Sequence, residues 1–328
     1  MPRRPPPVPR RLLALAAVQA GLVSARQCAA AGVTSQHVAE AVRRGAWSRP
    51  ARGVYDVGGV DAREGADPLD HARRRAAVLG VLAHPGSVAT GLSALVLHGV
   101  QGAPRAVAPE VTFPDGSARR TRPPVRLRRV PLRTWTLVGD LPCATVADAL
   151  AQAVPEVDRR HAVAVLDSAL RTGRLTDAGL AGLREAVRGR RGAARVHRWW
   201  DQADRRSESP AETWARLACA DAGFPPDVLQ LPVLDGGGRF LARVDLAWLL
   251  PDGRALLVEI DGRDPHSQPA ALFADRARQN RIVTAGTVLR RYTGAEAWRG
   301  TLAADVGVVL RAAGWRAGQP CPARLVLR

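Results

Sequence analysis

The stretch from Phe240 to Asp261 allows very few arrangements. Phe240–Leu250 and Ala255–Asp261 are apolar runs of strand length, interrupted by Pro251-Asp252-Gly253. A three-residue hairpin loop, a type I turn followed by one left-handed residue, favours proline first and glycine last. Pro251 and Gly253 meet both demands, so Leu250 should pair with Arg254. That register predicts Asp245 directly opposite Glu259, with side-chain stems about 5 Å apart. Asp261 is two residues on and shares the face. A two-residue loop would instead put Asp245 and Glu259 on opposite faces.

Three carboxylates on adjacent strands repel unless something cationic lies between them. Their neighbours Val244, Leu246, Leu257, Val258 and Ile260 read as buried strand, and burial makes uncompensated charge costlier. All-oxygen ligation suits Mg²⁺ or Mn²⁺, so the expectation is a divalent ion on Asp245 and Glu259, activating water for attack on a phosphodiester. The plainer alternative is that Asp245 and Asp261 end in solvent or pair with Arg243 and Arg263.

The composition narrows the function classes. Of 328 residues 48 are basic and 30 acidic, a formal net charge of +18, and none of the basic residues is lysine. Phosphate loops of the GK[ST] type, kinase-type catalytic lysines and pyridoxal Schiff bases all need an ε-amine and are excluded. The charge surplus points to an anionic partner, nucleic acid first. Cys28, Cys143, Cys219 and Cys321 are widely spaced with no CxxC pair, which argues against structural zinc and suits free thiols in a reducing cytoplasm. Arg3, Arg4, Arg10 and Arg11 before the apolar run Leu12–Val23 imitate a secretion signal. Gln19 and Gly21 interrupt the run, so a helix and a cytoplasmic location are expected. No stretch has the apolar length of a membrane span.

At the amino end, residues 1–9 are Pro/Arg-rich and expected to be disordered. Three short helices follow: Arg10–Ala20, Ala25–Ala31 capped by Ser24, and one from Thr34 or Ser35 to Arg44. Strands at Ala46–Arg49 and Gly53–Val57, with a tight turn near Pro50, complete the outline of a winged helix-turn-helix over residues 10–58. Val38 and Val42 face inward on the third helix. Gln36, His37, Arg43 and Arg44 point outward, as in a recognition helix that reads base edges and holds phosphates. Arg49 and Arg52 belong to the wing. The same outline also serves protein–protein docking.

Residues 58–69 read as a linker, and residues 70–200 as a middle α+β region. Helices are expected at Asp70–Ala83, Ser87–Leu97, Val146–Ala153, Arg159–Arg171 and Asp177–Arg188. Strands are expected at Glu110–Phe113, Val125–Val130 and Thr134–Leu137. A basic run, Arg119 to Arg133, lies among these strands. Trp199 and Trp200 read either as a stacking platform for single strands or as core anchors of the next domain, 201–328. In that domain a helix Glu212–Ala222 precedes strands at Val228–Val233, Phe240–Leu250, Ala255–Asp261 and Thr287–Tyr292. Helices at Gln268–Ala285 and Trp298–Ala313 complete it. The fold class is therefore multidomain, α/β and α+β.

The strings RVDLAW, VEIDG, a following histidine and DRARQN, preceded by SESPAE, resemble PD-(D/E)XK restriction-endonuclease-like domains, on the branch similar to very-short-patch repair endonucleases. The segment GLVSARQCAAAGV…RRGAWSRPARGVY resembles the winged-helix domain of AbiEi-type antitoxins. The first resemblance implies that Asp245 and Glu259 bind the metal, with the Ile260 carbonyl as a further ligand. The superfamily lysine would stand at position 261, where this chain has Asp261. The branch uses a histidine and a helix-borne glutamate nearby, which His266 and Glu212 match. His266 also reads as an exposed loop residue, and Ser209-x-x-Glu212 with Pro210 also reads as a helix cap. On the helix beyond, Arg276 and Arg278 are candidates for holding the scissile phosphate, although they do not share a face.

Two functions follow as expectations. One is a DNA-binding, Mg²⁺-dependent endonuclease. The other is a repressor or antitoxin-like protein whose nuclease fold is inactive, with a toxin or another protein as a further candidate partner. RNA is a third candidate ligand, through the basic middle region, and no membrane association is expected.

Overall fold

The computed structural model describes residues 8–58, 67–117, 123–261, 287–318 and 325–326. Among these residues are twelve α-helices and thirteen strands, the strands forming one three-stranded and two five-stranded sheets. The chain divides into two compact units. One holds the residues up to Asp158 with Arg174–Trp200, the other Arg159–Gly173 with the residues from Asp201 onward. No helix among the described residues is long and apolar enough to cross a membrane.

The first unit opens with α1 (Arg10–Val18), β1 (Leu22–Ser24), α2 (Ala25–Ala30), α3 (Ser35–Arg43), β2 (Ser48–Ala51) and β3 (Val54–Asp56). Ser24 and Gln27 form a reciprocal capping box at α2, and the Thr34 hydroxyl accepts from the His37 amide at α3. Each such cap is worth about 1 kcal/mol. Leu12, Ala16, Val23, Cys28, Val38 and Trp47 make a common core. The strands are antiparallel in the order β1-β3-β2. Three helices followed by a hairpin is the arrangement expected from sequence, and the structure differs from it in two respects. β1 is an additional strand, pairing Leu22 with Asp56. The wing turns at Arg52-Gly53 rather than near Pro50, because Gly53 takes the left-handed φ of +74° that the turn needs. Pro50 sits within β2, an edge strand where its missing N–H costs no ladder bond.

Then follow α4 (Pro68–Ala83), β4 (Val88–Ala89), α5 (Gly91–Leu97), β5 (Glu110–Thr112), β6 (Arg126–Leu127), β7 (Trp135–Val138), β8 (Leu141–Ala144) and α6 (Val146–Ala153). The sheet order is β6-β5-β4-β8-β7. Ser87–Leu97 is thus a strand and a helix, not one helix: β4 pairs with both β5 and β8 before Thr90 leads into α5. Arg126 and Arg128 of the basic run both pair with Glu110 and Glu156, so this part is an internal ion network. Arg119, Arg120 and Arg122 lie outside the described residues.

The next helix, α7 (Arg159–Arg171), belongs to the second unit rather than to the middle region. After it come α8 (Asp177–Val187) and α9 (Ala193–Val196), both in the first unit. Trp200 is buried in that first unit, not in the following domain, and Arg195 lies over the Trp199 ring.

The second unit continues with α10 (Pro210–Asp221), β9 (Val228–Leu234), β10 (Phe240–Leu249), β11 (Ala255–Asp261) and β12 (Val288–Thr293). It closes with α11 (Gly294–Arg299), α12 (Thr301–Ala312) and β13 (Leu325–Val326). The sheet order is β12-β11-β10-β9-β13. The β9–β10 and β10–β11 pairs are antiparallel; β12 and β13 join parallel to their neighbours. One long helix was expected at 298–313. Thr293 and Glu296 cap an earlier start instead, and Gly300 separates two shorter helices.

α7 is fastened to α10 by Asp167. Its carboxylate accepts from the Asp204 amide (2.7 Å), the Thr213 hydroxyl (2.8 Å) and the Arg216 guanidinium (2.8 Å). Burial outweighs these donors and pushes the Asp167 carboxyl up to about 6. Removing one partner of a buried pair strands the other, so Asp167→Ala is expected to lower the unfolding free energy by about 3–5 kcal/mol, read from denaturant melts of the full chain.

Candidate functional site

The hairpin between β10 and β11 has the three-residue loop its sequence implies. Leu250 N–H donates to Arg254 O at 2.8 Å and Gly253 N–H to Leu250 O at 3.0 Å, with Gly253 at φ +85°. The ladder pairs Leu249 with Ala255 and runs to Leu246 and Val258. Continued one step beyond the last ladder pair, that register would set Asp245 opposite Glu259. Glu259 is in turn the lateral partner of Arg291 on β12, whose Nε donates to Glu259 Oε2 at 2.8 Å.

β9 supplies the fourth member of this row. β9 pairs Leu231 with Val244 and Leu229 with Leu246, which sets Gln230 opposite Asp245. Both strands change phase at this level. Leu229 and Leu246 pack in the cluster shared with α10, α11 and α12, whereas Leu231 and Val244 pack in a separate cluster. Strict alternation would keep 244 and 246 on one face. On β9 the change coincides with Gln230, a non-glycine residue at φ +56°, a conformation uncommon outside glycine and a store of strain.

The side chains meet at this pleat reversal. Gln230 Nε2 donates to Asp245 Oδ1 (3.2 Å) and to Glu212 Oε2 (2.9 Å). The Ile260 amide donates to Asp245 Oδ2 (2.8 Å), beyond the last β10–β11 ladder pair. Asp245 is raised from the ordinary aspartate value, chiefly by burial and further by the charge of Glu259. Burial, with Asp245 second, pushes Glu212 up to about 7. The Ser209 hydroxyl accepts from the Glu212 amide, and Glu212 Oε2 accepts from the Glu208 amide. Glu212 is therefore both part of a helix cap and part of the acidic cluster.

The remaining expected residues are distributed otherwise. Asp261 is exposed at the end of β11. Arg243 pairs with Glu208 rather than with Asp245. His266, Arg276 and Arg278, with Arg263, lie outside the described residues. Among the described residues no three His, Cys, Asp or Glu side chains gather to hold a metal ion. Both Asp245 oxygens and one Glu259 oxygen already accept hydrogen bonds. These carboxylates are thus already engaged by the chain's own donors.

On the winged helix, Gln36, His37, Arg43 and Arg44 are exposed on α3, as are Arg49 and Arg52 on the wing. Arg43 and Arg44 both pair with Glu40. Exposed pairs of this kind contribute about 0–1 kcal/mol, so a phosphate can displace them. The wing is fixed to the unit by Arg75, which donates to Asp56 (2.7 Å) and to the Ala20 carbonyl (3.0 Å).

The raised Glu212 carboxyl gives a pH signature. Its protonated form is favoured by folding, so its contribution to stability is full below 4.5 and is lost as pH rises through about 7. In chelator, Glu212→Gln, which stays neutral, should gain on the wild-type chain across that window. The advantage should reach the order of 3 kcal/mol by pH 8 in denaturant melts.

Comparison with known proteins bears on the amino-terminal part most directly. Two curated relatives, each an uncharacterized protein of Mycobacterium tuberculosis from a different strain, are 35% identical to the chain over 170 residues. The match covers 51% of this chain and 61% of each relative, so the chain spans less than two thirds of their length. Residues 10–56, the three helices and their wing, match the family model of the transcriptional regulator, AbiEi antitoxin.

Proposed function

We propose that the chain is a DNA-binding transcriptional regulator of the AbiEi-antitoxin kind, with a PD-(D/E)XK-like carboxyl-terminal domain that serves as a scaffold. The observation that carries this reading is the exposed polar face of α3, Gln36, His37, Arg43 and Arg44, beside wing arginines 49 and 52 on a domain that matches that regulator family. α3 would enter the major groove, with Gln36 and His37 at base edges and the arginines on phosphates. The positive charge of the whole chain adds a sequence-independent attraction. A toxin encoded nearby is the protein partner this reading suggests.

Fluorescence anisotropy with the duplex upstream of the chain's own gene tests it. Replacing Arg43 and Arg44 by Ala should weaken binding about tenfold or more and lower the salt slope by about 2. Glu40→Gln, which removes the acidic partner the two arginines share, should strengthen binding. Unchanged affinity in the double variant would remove the recognition-helix assignment.

A second reading is Mg²⁺- or Mn²⁺-dependent phosphodiester hydrolysis with Asp245 and Glu259 as the metal ligands, and with Glu212, Asp261 and His266 around them. The raised Asp245 and Glu212 carboxyls favour it, since clustered perturbed groups are common in active sites. Cleavage of duplex DNA that requires the ion and disappears in both Asp245→Ala and Glu259→Ala would establish it. Under the regulator reading no cleavage occurs with either ion, and both variants still bind DNA.

A further inference from the structure

We propose that Gln230 and Arg291 are built-in donors for the acidic pair Asp245 and Glu259, so that the hydrogen-bonding needs of this node of the sheet are met by the chain itself, with one guanidinium as counter-charge, and it needs no divalent ion. The inference deepens the scaffold reading and rests on it.

The geometry is a single lateral row across four neighbouring strands. β9 contributes Gln230, β10 Asp245, β11 Glu259 and β12 Arg291; Glu259 and Arg291 are a ladder pair, and the neighbouring pairs on either side set Gln230 level with Asp245 and Asp245 level with Glu259. The two acceptor-only groups stand inside and the two donors outside. Asp245 and Glu259, two carboxylates on neighbouring strands, repel each other when both are charged. Each is supplied from its outer side, Asp245 by the Gln230 amide at 3.2 Å and Glu259 by the Arg291 guanidinium at 2.8 Å. The Ile260 amide takes the second oxygen of Asp245.

The orientation of the Gln230 amide is fixed by chemistry. Its two side-chain partners, Asp245 and Glu212, are carboxylates, so the NH₂ group must face them and the carbonyl must face away. The NH₂ group bridges the two side chains, with one proton for each. The strained backbone of Gln230 has the same explanation. At φ +56° its side chain reaches both Asp245 on the adjacent strand and Glu212 on α10, and the strain persists because these bonds hold it. Arg291 supplies the positive charge beside Glu259, in a chain that contains no lysine. Glu259 is 8% exposed, and a carboxylate so enclosed without a cation is costly.

The test is a set of thermal melts of the full chain in chelator and in millimolar Mn²⁺. The wild-type midpoint should agree within about 1 °C between the two conditions, because a ligand that binds the folded state raises it. Arg291→Gln should lower the midpoint in chelator by roughly 5 °C or more, and Arg291→Lys, which keeps the charge, should recover most of that loss. Gln230→Leu should also lower it, and Mn²⁺ should restore part of the loss in both Arg291→Gln and Gln230→Leu. Wild-type stabilisation by Mn²⁺ that Asp245→Asn abolishes would overturn the proposal by showing a resident ion site. So would Arg291→Gln and Gln230→Leu chains as stable as the wild type. If Arg291→Gln does not fold, the wild-type Mn²⁺ comparison and the Arg291→Lys and Gln230→Leu melts still decide. Wild-type DNA binding is measured separately, so failure of the regulator reading would appear there and not in these melts.

Discussion

The face on which a strand residue lies is decided by counting, and in this protein the count is set by three residues. Pro251, Asp252 and Gly253 close the β10–β11 hairpin so that even-numbered residues Leu246, Trp248, Leu256 and Val258 turn to the helical layer. The same count leaves Asp245 and Glu259 together on neighbouring strands. Much of the second unit follows from that constraint: the apolar core over which the helices pack, and the acidic pair that core must tolerate.

Tolerating it requires donors in specific places. A buried carboxylate without a partner costs far more than one backbone residue in a strained conformation, so a glutamine at positive φ is a favourable exchange when its amide reaches two carboxylates. The pleat reversal at Gln230 and Asp245 accounts for the early end of the β10–β11 ladder, and for the side chain of Asp245 standing in at the Ile260 amide.

The legible parts of the sequence were those governed by local chemistry. The caps at Ser24, Thr34 and Ser209, the turn at 251–253 and the strand limits of Ala255–Asp261 all follow from near neighbours in the chain. What escaped depends on distant pairing. β1 and β4 are too short to show alternation and exist because β3, β5 and β8 pair with them. Arg291 lies thirty-two positions beyond Glu259 on a parallel strand, whose register no hairpin fixes. Gln230 had a visible signal, a polar residue inside the apolar run Val228–Leu234, but its left-handed backbone had none. Likewise α7 carries an ordinary amphipathic pattern, and its assignment to the second unit comes from distant partners, Asp167 with Thr213 and Arg216 and Arg159 with Asp221 among them.

A proline in the outer strand of the wing has an effect beyond its own turn. An open strand edge is a template on which another chain can extend a sheet, and small domains with such edges tend to associate through them. With Pro50 in β2 the outward row of donors is interrupted, while Ser48 and Arg49 keep its start polar and solvated. The sheet is thereby closed to growth on that side, and two wings bound at adjacent positions on a duplex would have no ready way to fuse edge to edge.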